Sequence, residues 1–118
     1  MKKYKVIFDN FIYDWHCVIE IDETKAKQPI KEMVEFWMGW KDRLAMNDND
    51  YIETFLQQLA RKLFYLSYVE RYNLNGIISY FGDGIEGWYE MNGEHGIRIL
   101  EVMPVEIEDN DFTVVKLP

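Results

Sequence analysis

The chain of 118 residues is long enough for one hydrophobic core and too short for two, which predicts a single domain over residues 1–118. Its 21 acidic and 13 basic residues give a net charge of −8, so its field repels nucleic acid and anionic lipid. No apolar run approaches the ~20 residues of a membrane-spanning helix, and no signal-peptide pattern follows the first lysines, so we expect a cytoplasmic protein.

Two strands with alternating patterns are predicted first, over residues 3–8 and 12–21. Asp9-Asn10 between them suits a tight turn, which indicates an antiparallel hairpin. One face of the second strand is expected to be buried and carries Tyr13, Trp15, Cys17, Ile19 and Ile21. Because Cys17 is the only cysteine, an intramolecular disulfide and a cysteine-based zinc site are excluded, and we expect a buried structural thiol.

A first main helix is predicted from about Pro29 to the break at residues 47–50. Its apolar residues fill an arc of roughly 200°, wider than the ~100° stripe of a surface helix. This helix therefore either has a second neighbour or presents an edge formed by Phe36 and Trp40 to another molecule.

A second main helix is predicted from Asp50 to about Tyr72, because Asp50 and Glu53 resemble a capping box. Its main apolar face should enter the core. A second face carries aromatic residues at positions i, i+4 and i+8, namely Phe64, Tyr68 and Tyr72.

Shorter elements complete the predicted chain. Residues 73–76 are interpreted as the end of the second helix, and residues 77–81, ambiguous between helix and strand, as a short helix. Strands are predicted over residues 97–103 and 112–117, on either side of an acidic run. The order β-β-α-α-(α)-β-β predicts an α+β fold in which two main helices pack on one face of an antiparallel sheet of about four strands.

The stretch from Glu86 to Ile99 combines glycines, carboxylates, two aromatic residues and His95. Asn92-Gly93 is a hairpin-turn dipeptide, and Gly96 precedes a strand where a positive φ is often needed, so we interpret the stretch as turns. No ligand spacing typical of a metal or phosphate site is present, so neither a metal nor a cofactor is expected. A small hydrolase-like enzyme using His95 and His16 with carboxylates remains an alternative.

Two candidate interaction surfaces follow from the pattern. The aromatic residues Phe64, Tyr68 and Tyr72, with Phe36 and Trp40, are either covered by the ring-rich residues 77–91 or form a dimer or partner surface. The acidic run is either a solvated connection or a patch that engages a basic partner. Its candidate residues are Glu106, Glu108, Asp109 and Asp111.

Several short motifs occur together: Glu86-Gly-Trp88, Met91-Asn-Gly93, Gly96-Ile-Arg-Ile99 and Asp109 to Phe112, with the opening Lys3-Tyr-Lys-Val6 and the helical Phe36-Trp37. With these motifs the chain resembles a domain-of-unknown-function family of short acidic proteins found mainly on phages and mobile elements. The resemblance implies a phage or mobile-element setting and no established activity, so it assigns no functional residue.

These observations favour a non-enzymatic acidic binding protein that acts by protein–protein contact with a basic partner. Inhibition of a host system that handles nucleic acid fits this interpretation, without direct binding to nucleic acid or membrane. A homodimeric interaction module is the first alternative, and the histidine-based enzyme is the second.

Overall fold

The fold is α+β, as predicted. A computed structural model describes residues 1–9, 14–104 and 107–118. Its strands and helices are, in chain order, β1 (Lys2–Ile7), β2 (His16–Ile21), α1 (Glu23–Phe36), α2 (Trp40–Met46), α3 (Tyr51–Tyr68), α4 (Leu74–Gly82) and β3 (Ile97–Val102). A single 3₁₀ turn follows at Asp109–Asp111. Within the described residues, no helix is long and apolar enough to cross a bilayer.

The sheet is antiparallel with the order β1-β2-β3, so β2 lies at its centre. The buried face predicted for β2 is confirmed, because Cys17, Ile19 and Ile21 are fully buried while the residues between them are half-buried. The predicted hairpin pairing of the first two strands is also confirmed. The predicted turn residue Asn10 and the first residues of the predicted strand, 12 and 13, lie outside the described residues.

The first predicted helix begins earlier than Pro29 and is divided in two. The side chain of Asp22 accepts hydrogen bonds from the backbone N–H of Thr24 and Lys25, both at 3.2 Å, so α1 begins at Glu23 and contains Pro29. Its end lies at Phe36, because Trp37 is extended and Gly39 has a φ of +81°. The left-handed conformation at Gly39 redirects the chain into α2.

The cap predicted for the second main helix is confirmed, but its predicted end is wrong. Asp50 accepts a hydrogen bond from the backbone N–H of Glu53 at 3.1 Å, and α3 ends at Tyr68. Asn73 accepts a hydrogen bond from the backbone N–H of Gly76 at 2.9 Å and so starts α4 instead of ending α3. The short helix predicted over residues 77–81 lies within α4.

The strand predicted over residues 112–117 is wrong. These residues are exposed and pair with no strand in the described part of the chain, so the sheet has three strands rather than about four. The outer side of β3 is already occupied, since the backbone N–H of Gly93 donates to Ile97 O at 2.8 Å and that of Ile99 donates to Met91 O at 3.1 Å. An alternating sequence is compatible with a strand, but a strand also needs a neighbouring strand to pair with, and the tertiary structure decides whether one is available.

The core lies between the buried face of the sheet and the helices α1 and α3. From α3 it receives Phe55, Leu59, Leu63 and Leu66, and from α1 it receives Ile30, Met33 and Val34. The opposite face of α3 carries polar and cationic side chains.

Candidate functional site

The glycine-rich stretch before β3 is turn structure, as interpreted from the sequence. Gly87, Gly93 and Gly96 have φ values of +85°, +96° and +85°. The carbonyl of Gly96 accepts a hydrogen bond from the backbone N–H of Asp22 at 2.8 Å, which joins this turn to the start of α1. These glycines therefore serve the backbone geometry that leads into β3.

The two histidines lie at opposite ends of the central strand. His16 opens β2, and its Nε2 lies 3.4 Å from Glu101 Oε1. The ring of His95 packs against that of Tyr89 with centroids 4.8 Å apart. His95 lies two residues before Ile97, which pairs with Ile21 at the other end of β2. A five-residue strand separation corresponds to about 17 Å. The fold therefore does not assemble the histidine pair that the enzyme alternative requires.

Other groups with catalytic or metal-binding chemistry are dispersed. Burial raises the pKa of the Cys17 thiol to about 12, which leaves it protonated at neutral pH. In residues 1–9, 14–104 and 107–118, no three histidine, cysteine, aspartate or glutamate side chains form a group that could hold a metal ion.

Phe64, from the predicted aromatic face of α3, packs onto the β1–β2 hairpin. Its ring centroid lies 4.9 Å from that of Phe8 and 5.3 Å from that of Trp15, both in edge-on geometry. The ring of Tyr68 stacks on Phe64 with centroids 5.4 Å apart. This part of the predicted stripe therefore contributes to intramolecular packing.

The other predicted rings pack elsewhere. Tyr72 lies beyond the end of α3, and its ring centroid is 6.3 Å from that of Tyr80 in α4. Phe36 and Trp37 pack edge-on at 4.9 Å beside Gly87, and Trp40 is half-buried against the core. The five predicted rings thus contact four different parts of the protein: the hairpin, α4, the loop around Gly87 and the core.

Residues 107–118 form an acidic–apolar arm. The backbone N–H of Glu108 donates to Asp111 Oδ2 at 2.9 Å, which closes the 3₁₀ turn, and Phe112 after it is extended. Glu108, Asp109 and Asp111 are exposed, while Glu106 lies outside the described residues. The apolar side chains of the arm are also exposed: Phe112 by 70%, Val114 by 92%, Val115 by 75% and Leu117 by 80%.

The sequence pattern indicated the acidic residues of this arm as a candidate surface, but it did not indicate the apolar residues that follow, because their alternation predicted a strand within the sheet. A second feature that it did not indicate is a groove between α2, α3 and the loop that carries Trp88. The available signal was a pair of adjacent cations, Arg61 and Lys62, on the polar face of a helix in an acidic protein. Their aromatic neighbours Trp37 and Trp88 come from distant segments, which only the fold brings together.

A family model described as "Protein of unknown function (DUF2528)" matches residues 16–115 of the chain. The chain belongs to this family. Two relatives are each 29% identical over 111 residues, which cover 88% of this chain and 90% of each relative. They are protein ea10 of Escherichia phage lambda and the lambda prophage-derived protein ea10 of Escherichia coli O6:H1 (strain CFT073).

No solved structure matches the chain. The family match and the two relatives confirm the resemblance to a family of unknown function and its phage setting.

Proposed function

We propose that this phage-related protein is a non-enzymatic binding protein that acts by contact with a host protein bearing a basic surface. The observation that carries the proposal is the acidic–apolar arm, in which four large apolar side chains are 70–92% exposed. Exposed contiguous apolar side chains commonly mark an interaction site, and their burial contributes roughly 25 cal/mol per Å² of apolar surface.

The charges of the arm favour a basic partner. Glu108, Asp109 and Asp111 immediately precede the apolar residues, and only Lys116 opposes them within residues 107–118. Acidic side chains at the edge of an interface accelerate the encounter with a basic surface, while apolar anchors mainly determine how slowly the complex dissociates. The arm therefore combines acidic side chains for the encounter and apolar side chains for slow dissociation in one short segment.

The overall charge suggests the class of host partner. Proteins that handle nucleic acid carry basic surfaces that bind phosphates, and a protein with a net charge of −8 is attracted to such surfaces. Binding there would compete with nucleic acid, which supports a role as an inhibitor of a host nucleic-acid-handling system.

The experiment compares capture from host lysate by the full chain and by a double variant, Val115→Ser with Leu117→Ser. Met46→Ser is the matched control, because Met46 is 84% exposed on α2, away from the arm. We expect one saturable partner whose affinity falls at least about tenfold in the double variant, is unchanged in the control, and weakens as salt is raised. Absence of a saturable partner, or equal binding by all three proteins, would contradict the proposal.

A homodimer is the second candidate, favoured by the open edge of the sheet. Among the described strands, β1 pairs only with β2, and its outer side carries no partner. β1 contains Lys2, Lys3 and Lys5, which complement the acidic residues of an arm from a second copy. Sedimentation at tens of micromolar distinguishes the candidates, because a monomer excludes the dimer, whereas a dimer lost in the arm variant supports it.

A further inference from the structure

A groove of about 800 Å³ opens between α2, α3 and the loop that carries Trp88. Its floor is the polar face of α3, where Gln58, Arg61, Lys62 and Tyr65 follow one another at helical spacing. Trp37, Arg43 and Trp88 also line it. The groove is separate from the acidic–apolar arm.

The groove is lined by cationic side chains although the protein as a whole is acidic. Arg43, Arg61 and Lys62 line it, and no aspartate or glutamate does so among the residues that the structure describes. Neither Arg61 nor Lys62 forms an ion pair within that part of the chain. With a net charge of −8 for the whole molecule, such a cluster of cations provides a local site for an anionic group.

Its aromatic walls are supported by neighbouring rings. The ring centroids of Trp37 and Trp88 lie 6.2 Å apart, and Trp88 packs edge-on against buried Phe81 at 5.6 Å. Arg43 holds the turn before α2, since its Nη1 donates to Met38 O at 2.8 Å. Trp37 nevertheless remains 37% exposed, which leaves ring surface for a planar ligand to contact. The ring of Tyr65 is contacted by Lys62, whose Nζ lies 5.8 Å from the ring centroid.

The amide of Gln58 joins the floor to α1. Gln58 Nε2 donates to Met33 O at 3.1 Å, and Gln58 Oε1 is shielded from solvent. The surfaces that the groove offers to a ligand are therefore its rings and its cations.

We propose that this groove binds a planar aromatic ligand that carries an anionic group, the chemistry of a nucleoside monophosphate. The base would lie against Trp37 and Trp88, while Arg61 and Lys62 would contact the phosphate. The same chemistry occurs in a free nucleotide and in one nucleotide of a single strand. The overall negative charge favours the free nucleotide, because a longer polyanion is repelled by the rest of the surface.

Nuclear magnetic resonance provides the test, because the four tryptophans report separately. Adenosine monophosphate at up to about 5 mM is titrated into ¹⁵N-labelled full chain, and the four indole N–H signals are assigned by Trp→Phe variants. We expect the signals of Trp37 and Trp88 to shift with saturation. The signals of buried Trp15 and of Trp40, which do not line the groove, should stay in place and report an intact fold.

Matched probes and variants separate the contributions. Adenosine lacks the anion and ribose 5-phosphate lacks the ring, so each should bind at least about tenfold more weakly than adenosine monophosphate. The double variant Arg61→Gln with Lys62→Gln should lose at least about tenfold in affinity, while the charge-matched double variant Lys27→Gln with Lys31→Gln on α1 should not. A short adenine oligonucleotide shows whether a strand competes better than the free nucleotide, which would identify the strand as the source.

The proposal is overturned if neither the nucleotide nor the oligonucleotide shifts the Trp37 and Trp88 signals. It is equally overturned if adenosine or ribose 5-phosphate binds as well as the nucleotide, or if the Arg61/Lys62 variant binds as tightly as the unchanged protein. None of these results bears on the arm, whose function is tested with a protein partner.

Discussion

Replacement of Gly96 by alanine should destabilise the protein strongly, although it adds a single methyl group. Gly96 has a φ of +85°, and a Cβ atom there would lie 2.8 Å from the backbone nitrogen of Ala26 and 3.1 Å from its Cβ. Because backbone atoms cannot rotate away as a flexible side chain can, the first turn of α1 must move relative to the turn before β3. That movement strains the hydrogen bond from Asp22 N–H to Gly96 O.

The expected cost has two parts. A left-handed φ costs a residue with a Cβ atom about 1–2 kcal/mol relative to glycine. Overpacking against a fixed neighbour costs a further ~1–3 kcal/mol. We therefore expect the free energy of unfolding to fall by about 2–5 kcal/mol, a large fraction of the ~5–15 kcal/mol typical of a domain.

Gly84 is the matched control, since its φ is +78° and nothing lies within 4 Å of an added Cβ. Gly84→Ala should cost only the conformational part, about 1–2 kcal/mol. Gly96→Asn offers a second comparison, because asparagine tolerates a left-handed φ better than alanine but retains the Cβ clash. Equilibrium unfolding in urea, followed by tryptophan fluorescence, measures all three variants.

The reasoning is refuted if Gly96→Ala is no more destabilised than Gly84→Ala. That result would mean that the approach of the turn to α1 is not a close one. If Gly96→Asn instead recovers the full stability of the unchanged chain, the conformational cost alone explains the glycine.

Three further predictions concern stability and reactivity. Tyr4→Phe should remove the 2.8 Å hydrogen bond from the Tyr4 hydroxyl to Glu23 Oε1, which lowers the pKa of Glu23. A carboxyl group whose pKa is lowered by folding stabilises the fold at pH values above the pKa of the unfolded chain, and this stabilisation is lost as the pH falls. Urea unfolding should therefore show a lower free energy of unfolding for Tyr4→Phe at pH 7, and the difference from the unchanged protein should disappear on acidification. A difference that does not depend on pH would contradict this origin. The Cys17 thiol, with a pKa of about 12, should react with a disulfide reagent only at the rate of unfolding, and rapid labelling of the native protein would contradict its burial. Leu59→Ala, at a fully buried position of α3, should cost about 2–5 kcal/mol in unfolding free energy, whereas the exposed Met46→Ala should change it by less than about 0.5 kcal/mol; similar values for both would contradict the assigned core.

Secondary structure and burial were predictable from the sequence where a few neighbouring residues decide them. The alternation of Cys17, Ile19 and Ile21 correctly predicted the buried face of β2, and Asp50 correctly predicted the start of α3. The predicted start of α1 near Pro29 is wrong although the signal for the true start is local, because Asp22 caps the helix and Pro29 lies inside it. A proline early in a helix interior is compatible with more than one start, and the cap decides among them.

Non-local features were not predictable from the pattern. The strand expected over residues 112–117 had a suitable sequence, but residues 91–93 occupy the edge of β3 that it would have used. The groove likewise depends on Trp37 and Trp88, which are distant in sequence but have ring centroids 6.2 Å apart.

The sequence by itself determined the α+β class, the buried face of the central strand and the acidic, ring-rich character of the molecule. These properties follow from periodicity and composition, which every residue carries with it. Tertiary structure alone decided which side chains remain exposed, which rings pack inward and which cations share a groove. Those outcomes depend on contacts between distant segments, and the free energy of such contacts is not encoded in any local stretch.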